Sequence, residues 1–167
     1  MNDQGLTISE QRSVVVRRLK PGDLEAVIAL DAKNVGRRRD EYFKLKLEMA
    51  INETGVEVSL AAEHDGLFVG FLIARVFYGE FGIAEPAAVL EVLGVHPDFR
   101  GIGIGRALVG QLTTNLLGLG VRQISTEVAW DDQRLMSFLH HEGFRPAPRF
   151  CLDLDCEEFR RRSERPA

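Results

Sequence analysis

The stretch Arg100-Gly101-Ile102-Gly103-Ile104-Gly105 has the composition of an anion-binding turn. It lies between an apolar run, Val89 to Val95, and a helical pattern that opens near Gly103. A strand, a glycine turn and a helix start leave successive backbone N–H groups free to converge on phosphate oxygens, and the partial positive charge of a helix N-terminus favours a negative ligand. The expected ligand is a pyrophosphate. A nucleoside-triphosphate loop would need Gly-Lys-Ser/Thr after four intervening residues, whereas Arg106 and Ala107 follow Gly105. A dinucleotide turn would need its third glycine one place later, at Arg106, and fails as well.

Arg100, Gly103 and Gly105 fit the pattern Arg/Gln-x-x-Gly-x-Gly/Ala, and on these residues the chain resembles the GNAT superfamily of acyl-CoA-dependent N-acyltransferases. The flanks agree. Leu93-Gly94-Val95-His96-Pro97 closes the strand, Arg106-Ala107-Leu108-Val109 continues the helix, and Thr126-Glu127-Val128 and Glu142-Gly143-Phe144 fall where that family has its fifth strand and the end of its last helix. The resemblance spans Val14 to Leu154. It implies an α/β fold with a mixed, mostly antiparallel central sheet, strands four and five splayed apart, and about four flanking helices. It also implies acetyl-CoA as acyl donor. The pantetheine arm would bond the main chain of Leu93, Gly94 and Val95, and the pyrophosphate would sit on the turn from Arg100 through Gly101, Ile102, Gly103, Ile104 and Gly105 to Arg106. Asp132 stands where the family often has a cofactor-binding asparagine; a carboxylate accepts hydrogen bonds but donates only when protonated.

Gly94 interrupts a strand that is otherwise apolar on both faces, as a strand in the middle of a sheet should be. Glycine there marks a bulge, the close approach of another backbone-like group, or simple packing under a helix. An amine that attacks a thioester must lose its proton, the carbonyl oxygen must be stabilised, and the thiolate must leave. No metal is needed for these steps. Glu91, inside the buried strand, and Glu127, on the neighbouring one, could both line the cleft. Glu127 matches the position of the base in family members that acetylate protein N-termini, and Glu91 reads equally as a residue near the strand's exposed end. The resemblance breaks at Leu139, where many members have the tyrosine that protonates the departing sulfur. Leu135 and Met136 offer no acid, and His140 and His141 point elsewhere on the helix. Tyr78, before the central strand, is the substitute expected from outside the motif.

The acceptor is less defined. Arg37-Arg38-Arg39 could clamp an anionic substrate or read as a solvated charge run, whereas Glu80, Glu85, Asp131 and Asp132 would draw a cationic amine. A small-molecule amine and a protein or peptide amine both remain open. After Phe144 there is room for one good strand where the family has a hairpin, so a second subunit could complete the acceptor site as a homodimer.

The elements that must position these groups follow from periodicity. Val14 starts a strand. Asp23 caps a helix carrying Leu24, Val27 and Ile28, and a second helix runs from Arg38 to Glu53. Val56–Glu63 and Phe68–Phe77 read as strands joined by a hairpin turn with Asp65-Gly66 at its centre, and Gly79–Pro86 as the loop before the central strand. Helix three is expected over Gly103–Leu119, strand five over Gln123–Ala129, helix four over Gln133–Glu142 and a last strand over Phe150–Leu154. Residues 1–13 read as a flexible tail, 14–155 as the N-acetyltransferase domain and 156–167 as a charged tail.

Composition agrees. A chain of 167 residues, 45% hydrophobic, is one domain with a substantial core. A net charge of −4 disfavours nucleic acid. Cys151 and Cys156 form neither a disulfide framework nor a four-ligand metal site, and fit a reduced cytoplasmic protein. No signal-peptide pattern opens the chain, and no apolar stretch is long enough to span a bilayer. Three functional classes compete on this reading: an active N-acetyltransferase first, an acyl-CoA binder with little turnover second, and a regulatory module third.

Overall fold

The computed structural model describes residues 14–52, 58–78 and 84–163. The expected N-terminal tail, the beginning of the strand expected from Val56, residues 79–83 of the loop before the central strand, and residues 164–167 lie outside them. The chain divides into a unit ending at Asp132 and a second unit starting at Gln133. In the first, the order is β1 (Val14–Arg18), α1 (Leu24–Val35), α2 (Asp40–Asn52), β2 (Leu60–His64), β3 (Leu67–Phe77), β4 (Ala87–Val95), α3 (Ile104–Gly118) and β5 (Ile124–Ser125). These strands form one sheet in sequence order, antiparallel throughout except for the parallel pair of β4 and β5. The fold is the mixed α/β architecture expected.

Local chemistry fixes the elements. Asp65 and Gly66 both take positive φ, 50° and 76°, as a tight hairpin between β2 and β3 demands. α2 begins at Asp40, two residues later than its periodicity suggests, because the positive end of a helix favours Asp40 and Glu41 in its first turn over the preceding arginines. One face of the sheet meets α1 and α2 through Val27, Ile28, Leu30, Phe43, Leu47, Phe71 and Ile73. α3 covers the other face, where a Cβ on Gly70 would stand 2.8 Å from Ile104 Cγ2, so the missing side chain lets the first turn of α3 press onto β3.

Two features of β4 depart from expectation. The register of β3 on β4 slips between Ile73, opposite Val92, and Ala74, opposite Leu90. The bulge therefore falls on Glu91 rather than near Gly94. Gly94 is a packing glycine: a Cβ there would lie 2.5 Å from the ring of Phe71, its partner across the ladder. Phe71 fills that space and meets Phe43 edge-on at 5.8 Å.

β5 is shorter than the expected Gln123–Ala129. It pairs only through Ile124 opposite Ala88 and Ser125 opposite Val89; beyond these, the Thr126 hydroxyl donates to the Leu90 carbonyl at 2.8 Å in place of a main-chain bond. The strands then part. In the second unit, α4 spans Gln133–His141. Residues 150–154 form no strand, since no neighbouring segment among the described residues takes up their backbone groups. Phe150 and Leu152 are exposed there. The stretch expected as a charged tail begins with α5, Cys156–Ser163, capped by Asp155, whose carboxylate accepts the N–H groups of Glu157 and Glu158 at 2.9 Å.

Arg17 secures the start of the unit. It donates to Asp23 at 2.7 and 2.9 Å and to Glu63 at 2.7 Å, while Asp23 also accepts the Lys20 N–H at 2.8 Å. The Arg17 bond holds the Asp23 carboxyl below its ordinary 3.8. A carboxyl depressed in the folded state stabilises above the unfolded value and loses that contribution as pH falls through the folded one. Asp23→Asn should therefore cost about 1–3 kcal/mol at neutral pH and lose less further stability than wild type on acidification below 3.8, read by urea unfolding at both pH values. Gly94→Ala should destabilise by about 1–3 kcal/mol through the clash with Phe71, read as a lowered Tm.

Candidate active site

The parting of β4 from β5 creates the central feature. His96 donates its N–H to the Val69 carbonyl at 2.8 Å, which fixes the alternation of the antiparallel ladder: Gly94 turns its main-chain groups to Phe71, and Leu93 and Val95 turn theirs away from β3. The edge offered on the β5 side is thus that of Leu93 and Val95. Gly94 contributes space for a ring instead. Among the described residues no strand pairs with that edge beyond Val89. The Val95 carbonyl accepts the Asn34 side-chain amide at 3.2 Å.

The glycine turn follows directly. A short 3-10 helix, Pro97–Phe99, leads into Arg100, and Gly101 and Gly103 adopt φ of 81° and 93°, a backbone that side chains with a Cβ rarely tolerate. Gly103 is the N-cap of α3 and no side chain caps it. The first helical bond is Ala107 N–H to the Gly103 carbonyl at 2.9 Å, so the N–H groups of Ile104, Gly105 and Arg106 have no helical acceptor. Gly101, Ile102 and Gly103 are exposed and Ile104 is buried. Gly105 sits inside the first turn of α3. The turn is an exposed set of donors beside the edge of β4 that no strand among the described residues pairs with.

Glu91 and Glu127 flank the point of divergence, since each follows a member of the Leu90–Thr126 bond. Their surroundings differ. The bulge puts Glu91 on the α2 side of the sheet, with its side chain 16% exposed, where Oε1 accepts from Arg75 Nε at 2.9 Å and Oε2 lies 3.1 Å from Lys46 Nζ. Both oxygens are engaged. Glu127 is exposed just past β5 and has no ion pair among the described residues. Tyr78, directly after β3, is 69% exposed. Asp132 is exposed, and its N–H bonds the Ala129 carbonyl at 2.9 Å in the turn that ends the first unit. In the second unit, Leu139 is buried.

The arginine run resolves into structural pairs. Arg38 donates to Glu25 at 2.9 and 3.0 Å and also bonds Asp40; these contacts hold both carboxyls below the ordinary range. Arg39 grips the buried Asp31 at 2.8 and 2.6 Å and lies over the ring of Tyr42 at 4.8 Å. Two of the three cations are thus committed to α1 and α2, and Arg37 alone of the run stays exposed without an ion pair among the described residues. Sequence reasoning missed Asn34, Lys46 and Arg75. Only their charge or polarity was visible, since their partners lie far along the chain.

A sheet opened between a buried strand and its parallel neighbour, with a glycine turn and helix start at the strand's end, is the architecture of an acyltransferase domain. Residues 25–144 match the model of the acetyltransferase (GNAT) family, and the chain belongs to that family. It is 31% identical over 121 residues to an acetyltransferase of Pectobacterium atrosepticum, covering 72% of this chain and 80% of that one. It is 33% identical over 85 residues to a mycothiol acetyltransferase of Propionibacterium freudenreichii, a match covering 51% of this chain and only 26% of that protein. Among solved structures, an aminoglycoside N-acetyltransferase in complex with CoA superposes with a TM-score of 0.71 at 19% identity, covering 86% of this chain and 95% of that one. A ribosomal-protein-alanine N-acetyltransferase of Brucella melitensis gives 0.68 at 21% identity, over 86% and 99%. Among the described residues no cluster of metal-binding side chains occurs, and no helix is long and apolar enough to cross a membrane.

The backbone at Gly103 makes a sharp test. Gly103→Val places a branched side chain at φ 93° and beside the donors, so titration calorimetry should find CoA affinity lowered at least about tenfold, with the fold retained by circular dichroism.

Proposed function

We propose that this protein transfers the acetyl group of acetyl-CoA to an amine by direct attack in a ternary complex. The single observation that carries the reading is the coincidence, along β4 and just past its end, of a main-chain edge that no strand among the described residues pairs with and an uncapped helix start. The first suits the amides of a pantetheine arm and the second a pyrophosphate. In this reading Leu93 and Val95 hold the arm, and Gly101 to Arg106 cradle the phosphates. The thioester lies where β4 and β5 separate.

The amine nitrogen forms its bond to the acetyl carbon, the carbon–sulfur bond breaks, and the amine's surplus proton passes to Glu127 directly or through water. Glu127 is favoured over Glu91 because its oxygens are not already taken by cations. Glu91, held by Arg75 and Lys46, would shape the wall of the acceptor site. Tyr78 or a water returns a proton to the sulfur. An acyl-CoA binder with little turnover is the second reading, favoured by the buried Leu139 at the position of the usual acid. The two exposed free cysteines fit a reducing, cytoplasmic setting, and the acceptor is a small molecule or a peptide, on one copy of the chain or in a homodimer.

Acetyl-CoA should raise the Tm, because a ligand of the native state alone stabilises it. Thiol release against an amine panel then separates transferase from binder. With an accepted amine, Glu127→Gln should lower kcat about 10²-fold or more with CoA affinity nearly unchanged, and Glu91→Gln should act mainly on the acceptor's KM. Equal, small effects of both would remove Glu127 from the base role.

A further inference from the structure

Asn34 makes two bonds that join the halves of the cofactor site. Its Nδ2 donates to the Val95 carbonyl at 3.2 Å, and its Oδ1 accepts from the guanidinium of Arg100. Val95 ends the open strand and Arg100 begins the glycine turn. One side-chain amide, in the last turn of α1, thus spans the junction. The neighbouring Lys33 Nζ lies 2.7 Å from His96 Nε2, and His96 Nδ1 accepts the Asp98 N–H at 3.2 Å, so the same helical turn grips the connection at a further point.

We infer that Asn34 is a positioning residue that holds the phosphate turn in register with the edge of β4. A turn with two residues at positive φ has backbone freedom and no side-chain cap, so its donors need an outside anchor to converge. Arg100 supplies it, and the carbonyl end of α1 is a favourable place for a cation. The amide is suited to the position because it donates and accepts at once, which neither a carboxylate nor an apolar side chain can do. A cofactor that grips strand and turn together gains from their fixed spacing, since the second contact then forms within a molecule already held by the first. Arg100 thereby acts on the turn's shape, and its side chain bonds Asn34.

The inference rests on the cofactor reading above, and calorimetry with two probes separates them: CoA, which spans both halves, and pantetheine, which reaches the strand alone. Asn34→Leu should weaken CoA about tenfold and pantetheine less than about twofold. Asn34→Asp keeps the acceptor for Arg100 and loses the donor to Val95; it should weaken CoA about threefold, and it serves if the leucine variant fails to fold. Arg100→Met combined with Asn34→Leu should cost no more than either change alone, because the two groups act as a unit. Failure of the wild type to bind CoA would overturn the cofactor reading. Wild-type binding with unchanged affinity in both Asn34 variants, equal losses for CoA and pantetheine, or losses that multiply in the double variant would overturn the role of Asn34 alone.

Discussion

A strand that keeps one neighbour and loses the other is the constraint on which this structure depends. β4 is zipped to β3 along its length, whereas its ladder to β5 ends after Val89 and Ser125, with the Thr126 hydroxyl making a final tie to Leu90. The edge of Leu93 and Val95 and the glycine turn lie on the far side of that break, whereas Tyr78, after the end of β3 that pairs with Ala87, lies before it. The bulge at Glu91 shifts the phase of the strand at the same place, so that Leu90, before it, and Leu93 and Val95, after it, all address the β5 side. Without the shift, alternation would turn Leu93 and Val95 to β3 and offer Val92 and Gly94 on the β5 side instead.

The glycines of this region answer to different physics, and that shapes what could be read from the sequence. Gly101 and Gly103 serve backbone dihedrals, and their spacing before a helical pattern is enough to place a glycine turn at the start of α3. Gly94 serves the ring of Phe71, a residue on another strand, so its meaning depended on a register that no local pattern encodes. The hairpin at Asp65-Gly66 was legible for the first reason, and α1 to α4 were legible from apolar spacing that repeats within a few residues.

What escaped the sequence was pairwise and distant, or depended on an absent partner. Arg38 and Arg39 read from sequence as a solvated charge run or an anion clamp, and neither reading contains Glu25 and Asp31, which take them up. Phe150, Leu152 and Leu154 alternate as a strand should, but alternation specifies a strand only where a ladder exists to receive it. α5 could have been recognised: Asp155 followed by Glu158, with Arg160 to Arg162 at the other end, is a capped and dipole-matched helix whose lack of an apolar stripe hid it. Asn34 had no such signal, since its partners lie 61 and 66 residues away.

The open edge of β4 has a further consequence for how such a domain behaves in concentrated solution. Unpaired main-chain donors and acceptors on a strand are a template for any extended segment, including one from another molecule. On the proposed function, a pantetheine arm along Leu93 and Val95 would occupy that template. Resistance to strand-mediated clumping would then track ligand occupancy, making the chain's colloidal behaviour a readout of its loading as well as of its surface charge.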